Sequence, residues 1–368
     1  HSQMITSAVQ CSTAVPASIF ASGGGYLEFV LPKAANKIMD LSLELKVRNG
    51  SADTTRTMSN VFQMIDRIEY YIGTSFAGSL DGYAALQKHC LLHSDEVIKN
   101  LSQHTNVNIT EGVFGTFNTL ISAGATKNFY LSCTESFHHL VPSLLAEDLR
   151  LRVFFAPEAT FSNGTGDIEL AAARVMMESV ELGAEEVREL AEVYRSGKLT
   201  HRYHEARVSK TPLTLQPSQS YAINLQNLFG DFSTIWVSTV EQGATVGSNY
   251  LRPEDDISQL HISDSSNSIL MGGLVLEADY VRYQNATVFP STYIHTHRVY
   301  PLSASKSVYA DLVSGAHSGS LSLTARGETL NILTKSTVTP NTTRNIVTVA
   351  FHLSALRVNE NQTVTVLR

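Results

Sequence analysis

A single amphipathic helix, set just past the middle of 368 residues, interrupts a chain otherwise composed of short apolar or alternating runs punctuated by turns. Within Ile168–Ser209, Gly183 precedes that helix, Glu185 and Glu186 fall in its first turn, and Arg195 and Lys198 lie at its far end. Those charges complement the partial charges of the helix ends, and Gly197 suits a stop just past the last turn. Val187, Leu190, Ala191 and Tyr194 recur at i, i+3, i+4 and i+7, one apolar stripe opposite a charged face. One such helix among strands either decorates a single large sheet domain or marks the seam between two. Its position favours a seam, and so does the length, since cores of roughly 150–200 residues are the expectation for a chain of this size.

The cleanest strand comes early. Met39, Leu41, Leu43, Leu45 and Val47 alternate with Asp40, Ser42, Glu44, Lys46 and Arg48, which predicts one buried and one wet face before the Asn49-Gly50 turn. Met64–Ile72, Phe129–Cys133, Leu149–Phe155 and Ala171–Leu182 read as further strands, and residues 79–99 as a short helical insertion. Past the helix, Tyr221–Leu225, Thr234–Val240, Ile269–Leu276, Ser307–Leu312, Leu321–Leu323, Thr329–Leu333 and Asn345–Leu353 resume the pattern. Many short strands separated by turn clusters point to sandwiches or barrels rather than βαβ units. The halves echo each other weakly, Ile65–Gly73 with Ile235–Gly243 and Leu149–Phe155 with Ile346–Leu353, as a true repeat or as generic β patterning. The expected division is an N-terminal arm at 1–27, a first β-domain at 28–199 that includes the helix at 184–196, and a second at 200–368.

Charge narrows the function. Residues 1–27 carry no Asp, Glu, Lys or Arg, which suits either a flexible or edge-pairing arm or one lying against a neighbouring subunit or a lipid surface. A net charge of −7 and a pI near 6.0, with no Lys/Arg cluster, argue against a sequence-specific nucleic-acid binder. Cys11, Cys90 and Cys133 are too few and too widely spaced for a disulfide framework or a zinc site. No run approaches the ~18 apolar residues of a membrane-spanning helix. The chain starts at His1, so something upstream is read as removed or not represented, and no secretory signal pattern is visible in what is present.

Candidate chemistry is sparse. His295-Thr296-His297 would put two imidazoles on one face of a strand, the pair used by metal-binding cupins, with His317 as a third ligand; the usual carboxylate is missing, and the next Glu is Glu328. His201, His204 and Glu205 follow the helix but lack the partner helices of a di-iron site. His138 and His139 point to opposite faces if extended, and Asp255-Asp256 reads as a solvated acidic turn before it reads as a cation site. Gly23–Gly25 lacks the strand-before, helix-after setting of a phosphate loop, and no nucleophile elbow is present. Asn49, Asn100, Asn108, Asn163, Asn285, Asn341 and Asn361 head N-x-[ST] sequons. No catalytic, cofactor or metal residue is therefore assigned.

The ordered set of motifs resembles one family. Thr287–Arg298 (TVFPSTYIHTHR), Ser307–Leu333 (SVYADLVSGAHSGSLSLTARGETLNIL) and Val347–Val358 (VTVAFHLSALRV) look like the C-terminal half of double jelly-roll major capsid proteins of icosahedral double-stranded DNA viruses. Asp66–Gly73 followed by Leu80–Leu86, Leu140–Phe155 and Met176–Glu205 resemble the corresponding parts of the first half, so the likeness covers most of Tyr26–Val358 in order. Gly319-Ser320-Leu321-Ser322 departs from the G-x-N-[FW]-S form of the large-virus relatives.

The resemblance implies an all-β fold of two consecutive eight-stranded antiparallel jelly rolls joined through the helix-containing segment, with short surface towers. It implies a structural protein and no enzyme, forming pseudo-hexagonal homotrimers that tile a virion shell assembled in the host cell. Partners would be neighbouring capsomers and penton and minor cement proteins, with residues 1–27 on the inner side touching an adjacent capsomer or an internal membrane. Val187, Leu190, Ala191 and Tyr194 would form the joint that fixes the angle between the rolls. The alternatives are a minor vertex or spike protein with two β-domains, and a jelly-roll metal enzyme or carbohydrate-binding protein.

Overall fold

Alternating apolar and polar residues make half-buried strands, and the first half of the chain lays down a sandwich of them: β1 (Met4–Gln10), β2 (Tyr26–Val30), β3 (Asn36–Asn49), β4 (Ile65–Ile72), β5 (Ser75–Asp81), β6 (Thr126–Ser132), β7 (Leu149–Phe155) and β8 (Ile168–Glu181). The computed structural model describes residues 3–16, 19–20, 25–110, 113–116, 119–164, 166–225, 227–242, 254–296, 299–324 and 327–368, without the side chains at 110, 113–116, 272–276, 295 and 296. Two antiparallel four-stranded sheets face each other, in the orders β1-β8-β3-β6 and β2-β7-β4-β5. The uncharged N-terminal stretch thus contributes an outer strand, β1, paired along β8 from Met4↔Val180 to Gln10↔Arg174.

The inner faces interlock as the alternation requires. Leu41, Leu43, Leu45 and Val47 of β3 are fully buried, and so are Leu27 and Phe29 of β2, Ile68 and Ile72 of β4, and Leu151 and Val153 of β7. Strict alternation would add Met39 to that row. A bulge intervenes where pairing with β8 steps from Asp40↔Glu178 to Ile38↔Ser179, so Ile38 takes the buried place and Met39 slips out of phase.

The second half repeats the plan with β9 (Thr200–Leu215), β10 (Ser220–Asn224), β11 (Gly230–Glu241), β12 (Ile257–Ser263), β13 (Ile269–Glu277), β14 (Tyr300–Ser303), β15 (Thr329–Thr334) and β16 (Thr342–Val358). Its sheets run β9-β16-β11-β14 and β10-β15-β12-β13, the first-half orders with eight added to each strand. Short strands Leu321–Leu323 and Val364–Leu367 extend the first of these along β11 and β16. The repeat is therefore one of connectivity. The sequence echo matched the wrong partners, because Ile65–Ile72 corresponds by position to β12 rather than to Ile235–Gly243, and Leu149–Phe155 to β15 rather than to Ile346–Leu353.

Helices occupy the connections: α1 (Gly82–Leu92), α2 (Asp95–Thr105), α3 (Ala184–Arg195), α4 (Ala278–Asn285) and α5 (Val308–Ser314). The fifth strand of each sandwich, β5 or β13, runs directly into a helix, α1 or α4. Asp81 caps α1 by accepting the Tyr83 N–H at 2.7 Å. Ser307–Leu312, read as a strand, is instead the helix α5. Gly315 closes it at φ +70°, its N–H donating to the Asp311 carbonyl at 2.9 Å, a left-handed C-terminal cap that ends helices and not strands.

Candidate functional site

A sheet with one face on its own core should alternate buried and exposed residues. β11 does not: every residue from Phe232 to Val240 is buried, and so is every residue from Ile346 to Phe351 of β16. Ile235, Val237, Ile346 and Ala350 belong to the core of the second sandwich, whereas Trp236, Val240, Val347, Val349 and Phe351 join the core cluster of the first. The sheet β9-β16-β11-β14 is thus a wall shared by the two halves. Trp236, the sole tryptophan, is 1% exposed, with its ring 4.3 Å from that of Phe351 and edge-on to Phe289 at 5.8 Å.

Helix α1 is the counterpart from the first half. It is buried all round rather than along one stripe, since Gly82, Tyr83, Ala84, Ala85, Leu86 and Gln87 follow one another around its axis and every one of them is buried. The Tyr83 hydroxyl meets the Ser238 hydroxyl of β11 at 2.9 Å, and the Gln87 amide donates to the Tyr293 hydroxyl at 3.2 Å. Asp95 at the start of α2 accepts from the Thr292 N–H and hydroxyl at 3.0 and 2.7 Å. On the other side of the seam, the Tyr203 hydroxyl of β9 donates to the Ala77 carbonyl of β5, and the Ala146 N–H donates to the Gln362 carbonyl at 3.0 Å. The three buried bonds, Tyr83 to Ser238, Gln87 to Tyr293 and Tyr203 to Ala77, fix one docking geometry, because a wrong one leaves a buried polar group unpaired.

The helix α3 presents its stripe to the protein as its spacing predicts: Val187, Leu190 and Ala191 are half-buried against the first core cluster and Tyr194 is buried. The Tyr194 hydroxyl accepts the Val141 N–H at 3.1 Å, and Glu186 accepts the Gly183 N–H at 2.8 Å.

Most of the residues singled out by sequence are used structurally. Tyr293–Thr296 is a helical turn, so the strand face on which His295 and His297 were to pair does not exist; His297 itself lies outside the described residues. Asp255 pairs with Lys335 at 2.8 Å and Asp256 with Arg344 at 2.9 Å, which uses the acidic turn internally. Glu205 pairs with Arg207 at 3.2 Å. The side chains of Asn49 and Asn285 are buried and donate to backbone carbonyls, so neither sequon can carry a glycan in the folded chain. Gly23 and Gly24 lie outside the described residues. Cys90 and Cys133 are free thiols pushed well up by burial, which leaves them protonated and unreactive. Among the described residues no group of three His, Cys, Asp or Glu is placed to hold a metal ion, and no helix is long and apolar enough to cross a membrane.

What the sequence did not suggest is a convergence of histidines. His138 and His139 from one segment, and His201 and His204 from another far along the chain, line one cleft of about 240 Å³ on the seam with Lys88, Glu135 and Asp40. Desolvation pushes His201 and His204 down to about 4.

No protein-family model and no curated protein matches the chain. Solved structures do. VP54 of PBCV-1 superposes with a TM-score of 0.66 at 14% identity, covering 100% of this chain and 97% of that one. The Faustovirus major capsid protein gives 0.69 at 8% identity over 98% and 91% of the two chains, and the major capsid protein of Sulfolobus turreted icosahedral virus gives 0.55 at 9% over 95% and 96%. At such identities the likeness is one of fold, and it runs through both sandwiches. The chain is a double jelly roll. The expected fold of two eight-stranded antiparallel jelly rolls in succession holds, and the likeness spans nearly the full length of these neighbours.

Proposed function

We propose that this double jelly roll is the major capsid protein of an icosahedral virus, a structural subunit and not an enzyme. The observation that carries the reading is the pairing of two sandwiches of identical connectivity in one chain, a fold shared end to end with capsid proteins. Three such chains around an axis present six similar blocks, so threefold symmetry approximates a hexagon and tiles a surface. The docking of the rolls through α1 and the wall of β11 and β16 suits that task, since a hexagonal outline depends on a fixed angle between blocks. Tyr280 and Tyr283 of α4, stacked at 6.4 Å and 50% and 74% exposed, together with exposed Leu120, offer apolar surface of the kind that subunit contacts cover.

The finer assignments follow from the same reading. The division is a first roll to residue 199 and a second at 200–368; the uncharged residues 1–27, expected as a separate arm, instead lend the first roll its outer strand β1, and that edge lies on the inner side of the shell. The stripe Val187, Leu190, Ala191 and Tyr194 steadies the crossing from one roll to the next. Partners are two further copies in a homotrimer, neighbouring trimers, and penton and minor cement proteins, with an adjacent capsomer or an internal membrane as the inner contact of residues 1–27; the location is the virion, assembled in the host cell. Negative-stain electron microscopy of the purified protein tests this. Hexagonal particles with a threefold axis are expected, and a field of isolated two-lobed monomers would overturn the reading.

A further inference from the structure

The histidine cleft has a composition that shell-building alone does not call for. His201 and His204 project from β9 of the second roll, and His138 and His139 from the loop after β6 of the first, with the last two rings 3.6 Å apart. His204 is 7% exposed and neither of its ring nitrogens has a hydrogen-bond partner; the Nε2 of His201 is buried and equally unpartnered. A neutral imidazole tolerates such a place, whereas an imidazolium with unsatisfied N–H groups does not.

The surrounding charges do not rescue the protonated form. Lys88 of α1 pairs with Glu135 of the facing loop. Asp40 of β3 accepts from the hydroxyls of Thr134, Ser132 and Ser42, and Asp311 of α5 accepts from those of Ser305 and Ser318. Asp40 favours a charged His138 and Asp311 a charged His204, but burial outweighs both. Lys37 of β3, Arg202 and Tyr203 on β9, His317 beyond α5 and His352 on β16 complete the neighbourhood; Glu205 of β9 is taken by Arg207. The histidines also press on one another, His138 and His139 each disfavouring a proton on His201.

We propose that His138, His139, His201 and His204 form an acid-released latch across the seam: neutral, they let the two rolls close, and protonated they repel and part them. Burial, reinforced by the neighbouring imidazoles, holds His201 down at about 4, and burial, with Lys88 and His317 beside it, does so for His204; exposed His139 contributes chiefly as an imidazole facing His201. An opened seam would return them toward the ordinary 6.5. The closed seam therefore binds fewer protons than the open one. Its stability is whole above pH 6.5 and falls as pH drops toward about 4, with His201 and His204 each weakening closure on the order of a hundredfold across that window. The latch is a property of the fold and holds whether or not the chain builds a shell.

Trp236 is a built-in reporter, the sole tryptophan and part of the shared wall. Its emission wavelength should be followed from pH 7.5 to 4 beside the far-ultraviolet circular dichroism. In the wild type a red shift is expected between pH 6.5 and 4 with the β signal retained and more than one proton taken up. In the His201→Gln/His204→Gln variant the midpoint should fall by at least one pH unit. His139→Asn, at an exposed position whose left-handed backbone Asn tolerates, should lower it by a smaller step. An emission wavelength constant to pH 4, a midpoint unmoved by these substitutions, or loss of the β signal together with the red shift would each overturn the latch.

Discussion

The hydroxyl of Tyr83, on the helix that leaves the first roll, lies 2.9 Å from the hydroxyl of Ser238, on a central strand of the second. Both are buried, so the bond forms only when the rolls are docked in one arrangement. Tyr83→Phe should lower stability by about 1 kcal/mol, the net worth of a neutral hydrogen bond. Denaturant unfolding measures it, and an unchanged midpoint would mean that the two hydroxyls find water instead.

Trp236 fills the wall from the side facing the first roll. Trp236→Ala should cost about 3–5 kcal/mol, as deletion of a large buried aromatic does. The loss should show first as protease cleavage in the segment joining the rolls, since Ile235 and Val237 still hold the second core from the opposite face.

Gly82 joins β5 to α1 where a Cβ would lie 2.2 Å from the Ile65 carbonyl oxygen and 2.4 Å from that of Phe62. Backbone atoms cannot step aside as a side-chain tip can. Gly82→Ala should therefore destabilise by about 1–3 kcal/mol or more, despite the better helix propensity of Ala, and thermal unfolding would show it.

Glu44 faces out from β3 and is held by the Arg174 guanidinium and, at 3.0 Å, the Tyr130 hydroxyl. Its hydrogen bond to Arg174 outweighs burial and keeps its carboxyl below the usual 4.5. The pair therefore adds stability above pH 4.5 that is lost as pH falls through the lowered value. Melting temperatures of Glu44→Gln and wild type should differ at pH 7 and converge in acid; a constant gap would contradict the assignment.

For the crossing segment, Leu190→Asp puts a charge into the half-buried stripe of α3. Trimers should be lost at a concentration where circular dichroism still reports folded sandwiches. Loss of the fold itself would refute the joint role.

Much of the first roll was legible because its strands have one wet face: Leu149–Phe155 alternates strictly, and the burial does too. The shared wall was not legible as such. Phe232–Val240 reads as a modest apolar run, and only the packing of the first roll explains why its Ser and Thr residues are buried with it. Thr200–Leu215 lacks a sustained apolar alternation, yet it pairs with β16 along its whole length. Val308 and Leu312 fit a helix and a short strand equally in spacing, and the deciding sign is Gly315 after them. The histidine cleft has no local signature, because only the docking of the two rolls brings His138 and His139 to His201 and His204.

The most direct measurement of the central claim is the mass of the protein in solution by light scattering during size-exclusion chromatography. A stable species of three times the 40.2 kDa chain is expected. A single species of 40.2 kDa that persists at high concentration would contradict it.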